Sequence, residues 1–303
     1  MSSGEAAAHG IGAVVTAMIT PFTAAGDVDF DGVQRLARHL VDTGTDTVLV
    51  NGTTGESPTL HGEAPWEVLA AVREAVAGDG TVMVGTGSND TAKTVEATAR
   101  AAAAGADAVL LVTPYYNKPQ QRGLVAHFGA AAAATDLPVL VYDVPGRTVT
   151  ELSVATQVEL AGIANVVGAK DATGDLGKAA DVRLATLGAP GGYDLWCGSD
   201  EMNLPLLAVG GRGFVSVSAH LAGPELAEMI RVFPTDPARA LELHLRCLPL
   251  HRALFAEASP APLKAALNHL GLPAGPVRGP LAEASPETVK TVLGAYEAIE
   301  AHR

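Results

Sequence analysis

The sequence predicts an α/β fold, a (βα)8 TIM barrel followed by a C-terminal helical region. First, the 303-residue chain is 48% hydrophobic and 17% charged, which suits a large buried core and excludes a disordered or collagen-like chain. Second, short runs rich in Val, Ile and Leu alternate with longer Ala-rich stretches from about residue 11 to about residue 233, as strands alternate with crossover helices. Third, the runs number eight, and eight strand–helix units favour closure into a barrel.

The eight runs are apolar on both faces, as expected for strands of a parallel sheet that helices cover. They are predicted to begin near Gly12, Thr47, Thr81, Ala108, Pro138, Val166, Tyr193 and Gly213. An open, doubly wound sheet is the alternative arrangement. No GxGxxG sequence follows the first strand to favour it.

Helices are predicted between the strands, because capping residues precede the amphipathic stretches. The candidate N-caps are Asp29, Asn89 or Asp90, and Ser199 or Asp200. Glycines that would adopt the left-handed conformation at helix ends are Gly44, Gly105 and Gly188. The chain is predicted to divide into a barrel at residues 1–235 and three further helices at residues 236–303 packed on it, with breaks at Ser259-Pro260 and between Gly271 and Pro280.

Charge and cysteine content exclude several classes of function. The chain has 20 basic and 33 acidic residues, a net charge of −13, so neither nucleic acid nor a membrane surface is an expected partner. Its two cysteines, Cys197 and Cys247, form neither a disulfide framework nor a zinc site. No basic leader or apolar run long enough to span a bilayer is present. We expect a cytoplasmic protein that acts on small molecules without a metal.

Lys170 is the candidate nucleophile. Active sites of such barrels lie at the C-terminal ends of the strands, and Lys170 is the one lysine among six that ends an apolar strand. Partial burial would lower its pKa from about 10.4, and a neutral amine can form a Schiff base with a ketone. The alternative is a structural ion pair with Asp171.

Three other strand ends carry polar residues. After the second strand, residues 51–57 place Thr53 and Thr54 between glycines, and such a loop can bind a carboxylate through backbone N–H groups; a capping turn at Ser57 or Thr59 is the alternative. The fifth strand ends in Tyr142 and is followed by Arg147, a residue suited to carboxylates. The fourth ends in Tyr115-Tyr116, which serves either the site or an interface. His220, after the eighth strand, is expected to be structural.

The sequence resembles the dihydrodipicolinate synthase and N-acetylneuraminate lyase family of pyruvate-dependent class I aldolases. Four motifs carry the resemblance in the family's order and spacing: GTTGES at residues 52–57, VTPYYN at 112–117, YDVPGR at 142–147 and GAKDATG at 168–174. The resemblance implies that Lys170 forms an imine with pyruvate, without any other cofactor, and that Thr53 and Thr54 bind the pyruvate carboxylate. It also implies a proton relay of Tyr142, Thr53 and Tyr116, the last supplied by a neighbouring subunit of a homotetramer.

Arg147 points to the synthase branch of this family, which the resemblance implies uses this arginine to bind the carboxylate of aspartate 4-semialdehyde in lysine and diaminopimelate biosynthesis. The PAPLK stretch at residues 260–264 is similar to the same branch. Gly198 and Val215 are implied as further substrate-binding positions.

Some positions depart from the family pattern near the second substrate. Residues 197–200 read CGSD where SGDD is more usual, Asp143 stands where Asn is common, and Ala169 precedes the lysine where Ile or Val is usual. Two alternatives therefore stay open: an aldolase or hydratase-aldolase that uses pyruvate with a different aldehyde, and a non-catalytic paralogue that acts as a binding protein.

Overall fold

The computed structural model describes residues 9–303. Eight parallel strands follow one another in chain order around a closed barrel, which confirms the predicted (βα)8 fold. The strands are β1 (Val14–Ala17), β2 (Thr47–Val50), β3 (Thr81–Gly85), β4 (Ala108–Val112), β5 (Val139–Asp143), β6 (Val166–Asp171), β7 (Asp194–Cys197) and β8 (Gly213–Ser216). Each lies within two residues of its predicted start.

Helices follow the strands as predicted. They are α1 (Phe30–Asp42), α2 (Ala64–Val76), α3 (Thr91–Ala103), α4 (Gln121–Ala132), α5 (Pro145–Thr148), α6 (Val154–Ala161), α7 (Leu176–Thr186), α8 (Asn203–Ala208), α9 (Ala219–Val232), α10 (Pro237–Ala253), α11 (Ala261–His269) and α12 (Pro286–Glu300). The three helices predicted after the barrel are α10, α11 and α12, and both predicted breaks between them are present.

The N-caps show why two of these helices begin where they do. The Asp29 carboxylate accepts a hydrogen bond from the Gly32 amide at 2.9 Å. Asp90, rather than Asn89, caps α3 by accepting from the Ala92 amide at 2.9 Å. At the third predicted cap, Ser199 precedes a short 3₁₀ turn and makes no side-chain capping bond.

Two of the three glycines predicted at helix ends are left-handed. Gly44 has φ +102° and Gly105 has φ +83°, as the ends of α1 and α3 require. The prediction for Gly188 is wrong, since it is not among the described glycines with positive φ. Gly192, with φ +74°, makes the left-handed turn just before β7, so the chain reverses four residues later than predicted.

The barrel is built from two compact halves. One consists of residues 83–215 with the segment that ends at Ala13; in it β5 and β6 pair so that Tyr142 lies beside Lys170. The other consists of residues 14–82 and 216–303, where α10 packs on α9 and α12. The domain boundary at residue 235 stays a prediction. Over residues 9–303, no helix combines the length and apolar character needed to cross a bilayer.

Candidate active site

Lys170 and Tyr142 form the centre of the site in the half that contains β5 and β6. They are register partners on these parallel strands, so both side chains leave the sheet on the same face. The Lys170 Nζ atom lies 4.1 Å from the centroid of the Tyr142 ring. The two residues are only 6% and 7% exposed, so they meet away from bulk water.

Burial changes the ionisation of both groups. Burial lowers the pKa of Lys170 to about 8, with the charge of Arg147 acting in the same direction and that of Asp200 opposing it, because a low-dielectric environment disfavours the ammonium. Burial also raises the pKa of Tyr142 to about 12, so the phenol keeps its proton at neutral pH. The site therefore combines a buried amine of lowered pKa with a neutral hydroxyl that can donate and accept hydrogen bonds.

Gly198 borders the Lys170 side chain. A Cβ atom at this position would lie 2.9 Å from both Cγ and Cε of Lys170 and 3.0 Å from the Cβ of Ala172. The Gly198 amide donates to the carbonyl of Asp171 at 2.6 Å. Gly198 thus fixes the strand beside the lysine while leaving room for its stem, a role that the sequence did not reveal.

The carboxylate of Asp171 caps the turn that follows β6. Its Oδ1 atom accepts hydrogen bonds from the amide and the hydroxyl of Thr173, at 2.8 and 2.7 Å. The structure therefore employs Asp171 as a turn cap, and not as the ion-pair partner of Lys170 that was the alternative interpretation.

Arg147 projects from α5, a four-residue helix that begins two residues after β5 ends. It is exposed, and its charge lowers the pKa of both Tyr142 and Lys170. Over residues 9–303, no carboxylate lies within ion-pair distance of the guanidinium. It is therefore available for an anionic group of a ligand.

The loop after β2 belongs to the other half of the barrel. The amides of Gly55, Glu56 and Ser57 donate to carbonyls inside the loop. Within residues 9–303, the amides of Thr53 and Thr54 take part in no hydrogen bond. The capping alternative is wrong, because residues 57–59 form their own 3₁₀ turn and α2 begins only at Ala64.

A buried ion pair between Glu56 and Lys264, together with the backbone amide of Arg278, holds this loop in place. The Glu56 carboxylate lies 2.7 Å from the Nζ of Lys264 and accepts from the Arg278 amide at 2.8 Å. Lys264 is 0% exposed, and its Nζ lies 3.9 Å from the centroid of the Phe22 ring. The PAPLK stretch was the signal for Lys264, but its partner could not be read from the sequence.

Tyr116 lies on the surface of the single chain. Its side chain is 89% exposed, and its φ of +74° is a left-handed conformation that costs a bulky residue about 1–3 kcal/mol. Tyr115 beside it is 41% exposed. An exposed aromatic ring on a strained backbone is suited to contact with another molecule.

Two other predicted residues are buried. Val215 on β8 is 1% exposed. His220 accepts a hydrogen bond at Nε2 from the Ile19 amide at 3.2 Å, and its Nδ1 donates to the Val217 carbonyl at 2.8 Å. Because both ring nitrogens bind backbone groups, the structural role predicted for His220 is confirmed. Within residues 9–303, no cluster of His, Cys, Asp and Glu is placed to hold a metal ion.

Known proteins are similar to this chain in sequence and in fold. The chain is 49% identical over 290 residues to 4-hydroxy-tetrahydrodipicolinate synthase of a Synechococcus species, covering 95% of each chain. It is 46% identical over 287 residues to the enzyme of that name from Moorella thermoacetica, covering 94% of this chain and 97% of the relative. The crystal structure of DHDPS from Cyanidioschyzon merolae with lysine bound superposes with a TM-score of 0.93 at 43% identity, covering 96% of this chain and 99% of that one.

The model of the dihydrodipicolinate synthetase family matches residues 11–299, nearly the whole described chain. The match includes all four motifs and the strands that carry Lys170 and Tyr142. The chain therefore belongs to the dihydrodipicolinate synthetase family.

Proposed function

We propose that this protein is a 4-hydroxy-tetrahydrodipicolinate synthase, a lyase that condenses pyruvate with aspartate 4-semialdehyde in lysine and diaminopimelate biosynthesis. The observation that carries the proposal is the buried Lys170, with its pKa lowered to about 8 and its amine over the Tyr142 ring, in a chain so similar to enzymes of that name.

The first step forms an imine. The Lys170 amine attacks the C2 carbonyl of pyruvate, and the carbonyl oxygen leaves as water after it takes up two protons. The resulting iminium withdraws electrons from C3, which loses a proton and becomes the nucleophilic carbon of an enamine. The protein needs no other cofactor for this step, because the imine itself is the electron sink.

The pyruvate carboxylate is assigned to Thr53 and Thr54. Their amides lack hydrogen-bond partners within residues 9–303, and backbone N–H groups that converge in a glycine-flanked loop bind anions well. Because the protein is strongly acidic overall, such local donors are needed to hold an anionic substrate. Gly198 and Val215 remain predicted substrate contacts.

The second step joins the two substrates. The enamine C3 attacks the aldehyde carbon of aspartate semialdehyde, whose oxygen takes a proton from the relay. The substrate's amino group then attacks C2 of the imine, closing the ring and releasing the Lys170 amine. Tyr142 serves as proton carrier, since its high pKa lets it pass a proton on without holding a charge.

The relay is completed by a second subunit in this proposal. Tyr116 is 89% exposed in the single chain and would reach the site of a neighbouring copy, so we propose a homotetramer as the active form. Thr53 would link Tyr116 to Tyr142 by hydrogen bonds.

Steady-state turnover of pyruvate and aspartate semialdehyde tests the proposal, with Arg147→Ala compared to wild type. Losing a hydrogen bond to a charged group costs about 2 kcal/mol, so kcat/KM for the aldehyde should fall about thirtyfold, while pyruvate imine formation is retained. Arg122→Ala, on the exposed side of α4, is the matched control. Unchanged aldehyde turnover in Arg147→Ala would favour a related aldolase that uses another aldehyde.

A further inference from the structure

One lysine of α7 holds both ends of the segment that carries Arg147. This segment, residues 144–151, is called the Arg147 segment below. The Nζ atom of Lys178 lies 2.8 Å from Oδ2 of Asp143, directly before the segment, and 2.8 Å from Oε1 of Glu151 at its end. The same Asp143 oxygen accepts from the amide of Leu152 at 3.1 Å. Asp143 and Lys178 thus close the Arg147 segment into a loop.

The Arg147 segment contains little regular secondary structure. The helix α5 within it is one turn long, and a single turn is unstable without external contacts. The residue that caps its C-terminus, Val149, has a φ of +57°, a costly conformation for a β-branched residue. Inside the segment, the Thr148 hydroxyl donates to the carbonyl of Thr150 at 2.9 Å. The Thr113 hydroxyl contacts the segment in its middle by donating to the Thr148 hydroxyl at 3.1 Å. At the two ends of the segment, Lys178 adds ionic contacts.

The two ion pairs differ in exposure. The side chains of Lys178 and Asp143 are 10% and 1% exposed, whereas that of Glu151 is 52% exposed. A buried ion pair that loses one partner leaves an uncompensated charge, which is strongly unfavourable. The contact with Asp143 is consequently the stronger anchor of Lys178, at the end of β5, and the contact with Glu151 ties the far end of the segment to that anchor.

The groups next to Asp143 disfavour its ionised form, so the carboxylate depends on the charge of Lys178. Asp171 on β6 is the register partner of Asp143 and raises its pKa. Burial, and to a lesser extent both carboxylates, raises the pKa of the Tyr193 phenol. Asp143 thus lies beside a second carboxylate and a neutral phenol, and Lys178 contacts it as a cation.

We infer that Lys178 is a positioning residue for Arg147: through Asp143 and Glu151 it holds the Arg147 segment so that the guanidinium can bind the carboxylate of the second substrate, without touching that substrate itself. The inference rests on the proposed function. It assigns the specificity for an anionic aldehyde to a three-residue ionic clamp, Asp143, Lys178 and Glu151, in addition to Arg147.

A pH dependence follows from the clamp. Burial raises the pKa of Asp143 to about 6, and Lys178 opposes this rise. The clamp needs the ionised carboxylate, so the KM for the aldehyde should increase as the pH falls through about 6. In a variant without Lys178 the clamp is already lost, so this rise in the aldehyde KM through about pH 6 should disappear.

The test is the KM of each substrate in Lys178→Met. We expect the KM for aspartate semialdehyde to rise about tenfold, the KM for pyruvate to stay within about twofold, and the pyruvate imine still to form. Lys178→Arg keeps the charge and should recover most of the loss. Lys290→Met makes the same change at an exposed position of α12 and should resemble wild type.

Other outcomes decide against the inference. If Lys178→Met is folded and both KM values rise equally, or neither does, then Lys178 does not position Arg147. If Lys178→Met does not fold, Glu151→Gln provides the test instead. We expect a two- to threefold rise in the aldehyde KM of this variant, and an unchanged KM would contradict the inference. A wild-type protein inactive with pyruvate and the aldehyde would overturn the proposed function together with the inference, which a failure in Lys178→Met alone would not.

Discussion

Lys170 and Asp143 lie on neighbouring strands, and burial moves their pKa values toward each other. Burial lowers the pKa of Lys170 to about 8 and raises that of Asp143 to about 6. In both cases the interior disfavours the charged form. For Lys170 the consequence is a reactive amine, and for Asp143 it is a carboxylate that needs Lys178 to remain ionised.

The rate of pyruvate imine formation should therefore depend on the ionisation of Lys170. We expect the rate to rise with pH, reach half its maximum near pH 8, and then level off. Asp200 raises the pKa of Lys170, so Asp200→Asn should shift the midpoint to lower pH. Rapid quenching with borohydride at several pH values measures this, and a midpoint near 10.4, the ordinary value for lysine, would contradict it.

Asp143 should leave a signature in stability. The pKa of Asp143 is raised on folding, so the folded state binds the proton more tightly than the unfolded state does. The protonated carboxyl therefore stabilises the folded state below about pH 4, and this stabilisation is lost as the pH rises through about 6. The stability of Asp143→Asn relative to wild type should thus increase by on the order of 2 kcal/mol between pH 4 and pH 7. Urea unfolding of both proteins across this range is the measurement, and a constant difference would refute the raised pKa.

The sequence predicted the strands and helices that depend on residues close together in the chain, but not the contacts between residues far apart in it. Alternating apolar runs predicted the strands, and Asp29 and Asp90 marked two helix starts, because capping depends on residues only two or three positions away. The prediction for Gly188 failed since several glycines follow α7 and the sequence does not say which one turns the chain. The motifs placed Lys170 and Tyr142 together, but the clamp on Lys178 depends on pairing between side chains far apart in the chain.

Gly198→Ala tests the packing between β7 and β6. The added Cβ would meet Lys170 atoms at 2.9 Å, so the lysine must shift from its position over Tyr142. We expect imine formation to slow at least about tenfold, because small misplacements of reacting groups are costly. Gly294→Ala on α12, where a Cβ meets nothing within 4 Å, is the control, and equal rates in the two variants would show that Gly198 has no such role.

Residues of the C-terminal region stabilise the loop that follows the second strand. Lys264 from α11 neutralises Glu56, and Arg278 beyond that helix donates its guanidinium protons to the carbonyls of Gly26 and Thr59. The fully buried Lys264 reaches Glu56 across more than 200 residues of sequence, in the same half of the barrel. The stretch from α11 to Arg278 thus helps to fix the loop that carries Thr53 and Thr54.

Lys264→Met should destabilise the folded protein, because the buried Glu56 carboxylate loses the cation that neutralises it. We expect the free energy of unfolding to fall by about 3–5 kcal/mol, and the KM for pyruvate to increase. Adding Glu56→Gln to this variant removes the unpaired charge and should restore part of the stability. Chemical denaturation of the single and double variants measures both effects, and a double variant no more stable than Lys264→Met would argue against the ion pair as the cause.

Intact-mass spectrometry after borohydride reduction in the presence of pyruvate tests the role of Lys170 most directly, because reduction converts an imine into a stable amine. We predict one pyruvyl adduct on the wild-type chain and none on Lys170→Ala, with Lys290→Ala behaving as wild type. A folded wild-type protein that acquires no adduct, or a Lys170→Ala variant that still acquires one, would contradict the assignment of Lys170 as the nucleophile.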